Sequence, residues 1–179
     1  LPLYDDALLS RELALFPQWY VGQHRGFVPD VGLTGKLAPL FAQIKANNLN
    51  ALGGARVFVH RDFMPRNLMV SASGELGILD FQDAVYGPIS YDIASLMRDA
   101  FLSWEEEVVL DITVRYWQKA RKAGLPVGDD FGEFYHAVEW MGLQRHLKVL
   151  GIFARLTLRD GKPKYLADAP RFMKYARAT

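Results

Sequence analysis

Three polar side chains interrupt an otherwise apolar part of the chain: Asp62, Asn67 and Asp80. "VFVHRDFMPRNLMV" (57–70) sets the first two five positions apart, and "LGILDFQD" (76–83) supplies the third. A turn at "SASG" (71–74), with Gly74 free to adopt a left-handed conformation, folds 67–80 into a hairpin, so that Asn67 and Asp80 can face one cavity. An amide and a carboxylate so placed suit Mg²⁺, a hard cation that takes oxygen ligands and keeps several waters. Asp62, one loop away, is free to accept a proton. A proton acceptor beside paired magnesium ligands is the equipment of phosphoryl transfer, where catalysis is mostly positioning and charge neutralisation. Any one of these residues alone reads as a turn former, because Asp and Asn bond their own backbone in loops. The three together, within apolar strands, favour the chemical reading.

The elements that must position them follow from periodicity. "YDDALLSRELALFPQWY" (4–20) predicts a helix capped by Asp5 or Asp6, with Leu8, Leu9, Leu13 and Phe16 at helical spacing and Pro17 ending or bending it. Residues 22–35, with Gly22, Gly26, Pro29, Gly32 and Gly35, read as a loop. "LAPLFAQIKANNL" (37–49) returns to helix with Pro39 near its first turn. "ARVFV" (55–59) is a strand, and the hairpin 67–80 follows. From Tyr91 onward the chain reads as helical. Ser103 and Glu106 form a capping box, Gly124 and Pro126 stop that helix, a long helix runs from about Phe131 to Leu158, and a short one starts near Pro170. The expected class is α+β, mainly helical, in a single domain of residues 1–179 with helices around a small β-hairpin.

Bulk properties narrow the options. Twenty-one basic and 20 acidic side chains leave a net charge of +1, which gives no electrostatic reason to expect nucleic acid or an anionic membrane as partner. There is no cysteine, which excludes disulfides, thiolate nucleophiles and cysteine zinc sites. No apolar run approaches the ~20 residues of a membrane helix. A cytoplasmic location is the expectation. The chain opens without an initiator methionine and enters a helix almost at once, so it reads as a piece of something longer.

"HRDFMPRN" followed by "LDFQD" resembles the catalytic and metal-binding loops of the protein-kinase-like superfamily. "ILDFQDAVYGPISYDIASLMRD" is similar to its aminoglycoside phosphotransferase and choline kinase branch. Within that branch "RELALFPQWY", "VHRDFMPRNLM" and the stretch 80–99 are most similar to the bacterial anomeric kinases of N-acetylmuramate and N-acetylglucosamine. The resemblance implies the C-terminal lobe of a kinase-like fold, with ATP as cosubstrate, Mg²⁺, and a small-molecule hydroxyl acceptor, a sugar. It implies that Asp62 orients the acceptor hydroxyl and takes its proton, and that Asn67 and Asp80 hold Mg²⁺. The imidazole of His60 braces the loop, and Asp92 accepts backbone hydrogen bonds from it. Met64 stands where protein kinases carry a lysine, and Arg66 is the candidate replacement cation at the γ-phosphate. The N-terminal nucleotide lobe, another expected partner, has no counterpart here. "GLTGKL" (32–37) is too short for a phosphate loop and has Leu37 where Ser or Thr is needed. Alone, these residues should show at most marginal activity.

Substrate contacts are less constrained. Gln82 and Asp83 read equally as substrate contacts and as solvated loop. Arg98 reads as a substrate contact or as half of an intrahelical pair with Asp99. Arg145, Lys148, Arg155 and Arg159 fall on one helical face, which is either a solvated stripe or, at Arg145 and Lys148, a cationic contact for a sugar carboxylate. Tyr135 and Trp140 suit a sugar ring or the core. Glu12 is the first-helix candidate. Three other functions fit the same residues: an aminoglycoside phosphotransferase, a catalytically silent kinase-like binding module, and a metal-dependent hydrolase using His60 and Asp62.

Overall fold

The computed structural model describes residues 1–28, 30–99 and 101–178; Pro29 of the expected loop lies outside them. Helix α1 (Asp6–Leu15) is capped by Asp5, whose carboxylate accepts the Leu8 N–H at 2.8 Å. Past it, Phe16–His24 widens into a π-helix. Pro17, with no N–H to donate, stands where the ladder changes pitch.

Helix α2 (Val31–Asn50) begins earlier than expected. Asp30 caps it, accepting from Leu33 N at 2.7 Å, and its backbone carbonyl accepts from Thr34 N. Gly32 and Gly35 are therefore helical, and Pro39 sits inside the helix instead of in its first turn. A capping carboxylate contributes about 1 kcal/mol, enough to offset much of what a glycine costs.

Strands β1 (Arg56–Val59), β2 (Leu68–Val70) and β3 (Leu76–Ile78) match the expected pattern, with β2 and β3 antiparallel around Gly74 at φ +82°. A further strand, β4 (Val85–Pro88), pairs antiparallel with β1, Val57 opposite Gly87. The β part is thus two small sheets instead of one hairpin. Gly87 and Pro88 argue against a strand by composition. The glycine is needed because a Cβ there would stand 2.8 Å from the Tyr4 Cβ, where residues 2–4 run along the outer side of β4.

Helices α3 (Ser90–Met97), α4 (Glu106–Lys122), α5 (Phe131–Leu158) and α6 (Ala169–Ala178) complete the fold. The capping box expected of Ser103 and Glu106 does not form: Glu105 is the N-cap, and the Glu106 carboxylate is engaged by Arg98. Gly124, at φ +73°, lets the chain leave α4, with Leu125 N bonding the Ala120 carbonyl at 2.9 Å. No helix among the described residues is long and apolar enough to cross a membrane.

The residues group into two compact units, 1–4 with 50–142, and 5–49 with 143–179. Tyr4, Val59, Val85, Tyr91, Ile93, Val109, Phe134 and Met141 are buried core residues of the first, and Leu9, Leu13, Ile44, Leu150, Phe153 and Phe172 of the second. "GLTGKL" lies within α2, so it is no phosphate loop.

Candidate active site

All three residues of the chemical constellation lie in the first unit, on the two loops that border the hairpin. Asp62 follows β1; Asn67 closes a 3₁₀ turn, Pro65–Asn67, and leads into β2; Asp80 follows β3. The amide Nδ2 of Asn67 donates to the Asp62 backbone carbonyl at 2.8 Å and stands 3.4 Å from Asp80 Oδ2. The Leu79 N–H bonds the Asn67 carbonyl at 2.9 Å, so the ladder that pairs β2 with β3 also sets this spacing. With Nδ2 turned toward Asp62 and Asp80, the Asn67 Oδ1 carries no hydrogen bond among the described residues. The Asp62 carboxylate is half-buried and likewise carries none, which leaves its lone pairs available to a proton.

Two backbone conformations mark the site. Arg61 (φ +72°) and Asp80 (φ +71°) both occupy the left-handed region, which costs a residue with a side chain of order 1 kcal/mol or more. Such conformations persist only where neighbours impose them. At Arg61 the neighbour is Asp92, on the first turn of α3: its carboxylate accepts His60 N at 2.7 Å and Arg61 N at 3.0 Å, the contact the resemblance implies. The Arg61 guanidinium donates to the Asp83 carbonyl at 3.2 Å, joining the two loops again. At Asp80, Gln82 Nε2 donates to Oδ1 at 2.9 Å.

His60 is buried, and neither ring nitrogen has a hydrogen-bond partner among the described residues. Its imidazole packs edge-on against Phe63, ring centroids 6.0 Å apart. Among the described residues no group of three His, Cys, Asp or Glu side chains is placed to hold a metal ion. Asn67 and Asp80 lie within reach of each other, and each carries an oxygen of the kind that magnesium takes as a ligand.

The substrate candidates separate. Asp83 is exposed beside the Asp80 loop. Arg98 does not pair with Asp99. It forks onto Glu106 at 2.6 and 2.7 Å, while the Asp99 carboxylate turns to the N–H groups of Phe101 and Leu102. The hydroxyl of Tyr135 donates to the same Glu106 at 2.9 Å. Arg98 holds the Glu106 carboxyl below its usual range, and burial, then the bond to Glu106, pushes the Tyr135 phenol up to about 12. Trp140 donates its indole N–H to His136.

Glu12, Arg145 and Lys148 belong to the second unit. There Lys148 Nζ lies 3.0 Å from Glu12 Oε1, and Gln144 Nε2 donates to Glu12 Oε2 at 2.8 Å. Arg145 and Lys148 are 6% and 9% exposed, so the basic stripe is not a solvated face. Of the four only Arg159 is exposed, and it pairs with Asp160 beyond the helix end. Phe101 lies 34–39 positions from Asn67 and Asp62 with no spacing signal in the sequence, yet the Arg66 guanidinium carbon stands 3.4 Å from its ring centroid.

A free carboxylate beside an amide–carboxylate pair, on loops of a mainly helical α+β chain, is the arrangement of a phosphotransferase. The family description "phosphotransferase enzyme family", APH, matches residues 3–131, and the chain belongs to that family. The N-acetylmuramate/N-acetylglucosamine kinase of Neisseria meningitidis serogroup B is 56% identical to it over 99% of this chain and 52% of its own length. Kinases of the same name from Pseudomonas putida and Pseudomonas aeruginosa are each 52% identical, over 98% of this chain and 50% and 51% of theirs. The chain spans about half the length of the curated relatives it matches.

Proposed function

We propose that the chain carries the acceptor-activating and magnesium-holding half of an ATP-dependent kinase, whose acceptor is the anomeric hydroxyl of an N-acetylated amino sugar. The observation that supports it most is the Asn67 amide, which touches both the Asp62 loop and the Asp80 carboxylate. One side chain thereby couples the proton acceptor to the cation pair. The names of the relatives supply the sugar.

In this reading the acceptor oxygen forms a bond to the γ-phosphorus as the bond to the departing ADP oxygen breaks. The acceptor proton passes to the Asp62 carboxylate. Asn67 through Oδ1 and Asp80 through its carboxylate would hold Mg²⁺, which neutralises charge on the phosphates. The Asp92 bonds keep the Asp62 loop in its unfavourable conformation, so the base needs no rearrangement when the acceptor arrives. The remaining half found in the relatives would supply the nucleotide lobe, and ATP as donor puts the reaction in the cytoplasm.

The test is a transfer assay on the full-length protein with labelled ATP and a panel of N-acetylmuramate, N-acetylglucosamine and kanamycin-type aminoglycosides. The two amino sugars should be phosphorylated at C1, and Asp62→Asn should lower kcat by about a thousandfold or more. A loss below tenfold would remove Asp62 as the base. Transfer to the aminoglycosides alone would overturn the sugar assignment. No transfer from ATP to any acceptor would favour a silent binding module.

A further inference from the structure

We infer that Phe101 and Asp99 are positioning residues that hold Arg66 as a ready-made fork for phosphate oxygens. The assignment of the anion as the transferred phosphate rests on the kinase reading above. Arg66 lies between Asp62 and Asn67 in the chain and is exposed. An exposed arginine ordinarily samples many rotamers. This one lies over the Phe101 ring, with 3.4 Å between its guanidinium carbon and the ring centroid, a distance too short for an N–H edge to point at the ring and well inside the range of a cation–π contact.

The stack uses the face of the guanidinium and leaves its edge. None of the five N–H donors of Arg66 is hydrogen-bonded among the described residues. A planar cation whose face is occupied and whose edge is open has the form that recognises phosphate bidentately.

The ring is itself held. Asp99 is 1% exposed, and its Oδ2 accepts from Phe101 N at 2.6 Å and from Leu102 N at 2.8 Å. Arg98, one residue before, is forked onto Glu106. Phe101 and Leu102 are thus bonded to Asp99, next to the end of α3, and Arg98 is tied to Glu106 at the start of α4. Restraint passes from a buried carboxylate to a backbone, from that backbone to a ring, and from the ring to Arg66. Phe101 acts through Arg66 and not on the reacting atoms.

The experiment uses the full-length protein and two readouts. Calorimetric binding of inorganic tripolyphosphate in magnesium buffer reports the fork without any acceptor. Kinetics with ATP and the best acceptor of the panel report its use. Phe101→Ala should weaken tripolyphosphate binding and lower kcat/KM for ATP by about three- to thirtyfold, the range of a lost cation–π restraint. Phe101→Trp, which keeps a face for the cation, should restore both. In an Arg66→Ala background, Phe101→Ala should change either value less than twofold, because the two residues act as one.

Fully additive losses in that double variant overturn the proposal, as does an Arg66→Ala protein that binds tripolyphosphate as tightly as wild type. If wild type binds tripolyphosphate through Arg66 but transfers phosphate to no alcohol, the fork stands and the kinase reading falls. If transfer proceeds unchanged without Arg66, the kinase reading stands and the fork falls. Matching thermal midpoints of the Phe101→Trp and wild-type proteins ensure that the comparison is between folded molecules.

Discussion

Asp92 carries two charge-assisted bonds at once, and the energetics of that arrangement set what its loss should do. Its carboxylate takes the N–H groups of His60 and Arg61, and Arg61 sits at φ +72°. Removing the acceptor strands two backbone donors at the start of a strained loop, each worth about 1–3 kcal/mol when left unpaired. Asp92→Ala should therefore destabilise the fold by about 2–4 kcal/mol in denaturant titration. Asp92→Asn retains one acceptor oxygen, so it should fall between Ala and wild type in stability while still lowering kcat. Equal stability of all three proteins would mean that the loop holds its conformation without α3. That Asp62, Asn67 and Asp80 come together was readable because a hairpin restricts the spacing of the residues at its two ends. Asp99 and Phe101 were not readable, because a stacking partner needs only an aromatic ring and can come from anywhere in the chain.

At the level of elements, the clearest constraint is a close approach within the second unit. A Cβ on Gly151, in the C-terminal part of α5, would overlap the backbone carbon and oxygen of Leu15 at the end of α1. Backbone cannot rotate away as a side chain can. Gly151→Ala should then cost about 3 kcal/mol, at the upper end of overpacking, and lower the thermal midpoint accordingly. An unchanged midpoint would show that α1 moves aside. The sequence pattern gave the bounds of α5 well, since its apolar period is long and uninterrupted. It missed β4 because Gly87 is demanded by the nearness of Tyr4, a tertiary fact, while glycine in isolation signals a break. Likewise α2 runs through two glycines that read as loop, with the Asp30 cap offsetting part of their cost.

The helices of the first unit also carry a pH signature. Tyr135 on α5 donates to Glu106 on α4, and its pKa is raised from 10.0 to about 12 by burial first and the Glu106 bond second. The folded protein then binds the phenolic proton more tightly than the unfolded chain does. Stability from this group is fully present below pH 10.0 and is lost as pH rises through about 12. Glu106 has the opposite sign. Its pKa is lowered from 4.5, chiefly by Arg98, so its contribution is present above pH 4.5 and fades as pH falls below that value. Tyr135→Phe should flatten the alkaline limb of a stability–pH profile and weaken the acid limb in part, because the lost hydroxyl also helps to lower the Glu106 pKa. Arg98→Met should flatten the acid limb. A Tyr135→Phe protein with an unaltered alkaline limb would show that other groups set it.

For the molecule as a whole, the informative surface is apolar and lies on the sheets that carry the candidate site. Phe58 and Tyr86 stand opposite each other across β1 and β4, 56% and 44% exposed, with Leu3 bridged to Tyr86 beside them. On the hairpin, Met69, Val70, Leu76 and Ile78 are all exposed, although Met69 and Val70 point to opposite faces. A two-stranded hairpin is marginal by itself and gains stability only when an apolar face is covered. Relatives that match 98–99% of this chain are about twice its length, so a segment large enough to cover these faces exists in them. The spacing of Asn67 and Asp80 depends on that hairpin, hence order in this pair should depend on its cover. Residues 1–179 expressed alone should bind a hydrophobic dye strongly, show fast amide exchange at Leu68–Val70 and Leu76–Ile78, and transfer little phosphate. Joined to a counterpart of the other half that the relatives carry, the chain should suppress the dye signal, protect those amides and, on the proposed reading, transfer phosphate to the amino sugar. Slow exchange across β2 and β3 in residues 1–179 alone would show that the hairpin is stable uncovered, and the coupling between cover and site would have to be abandoned.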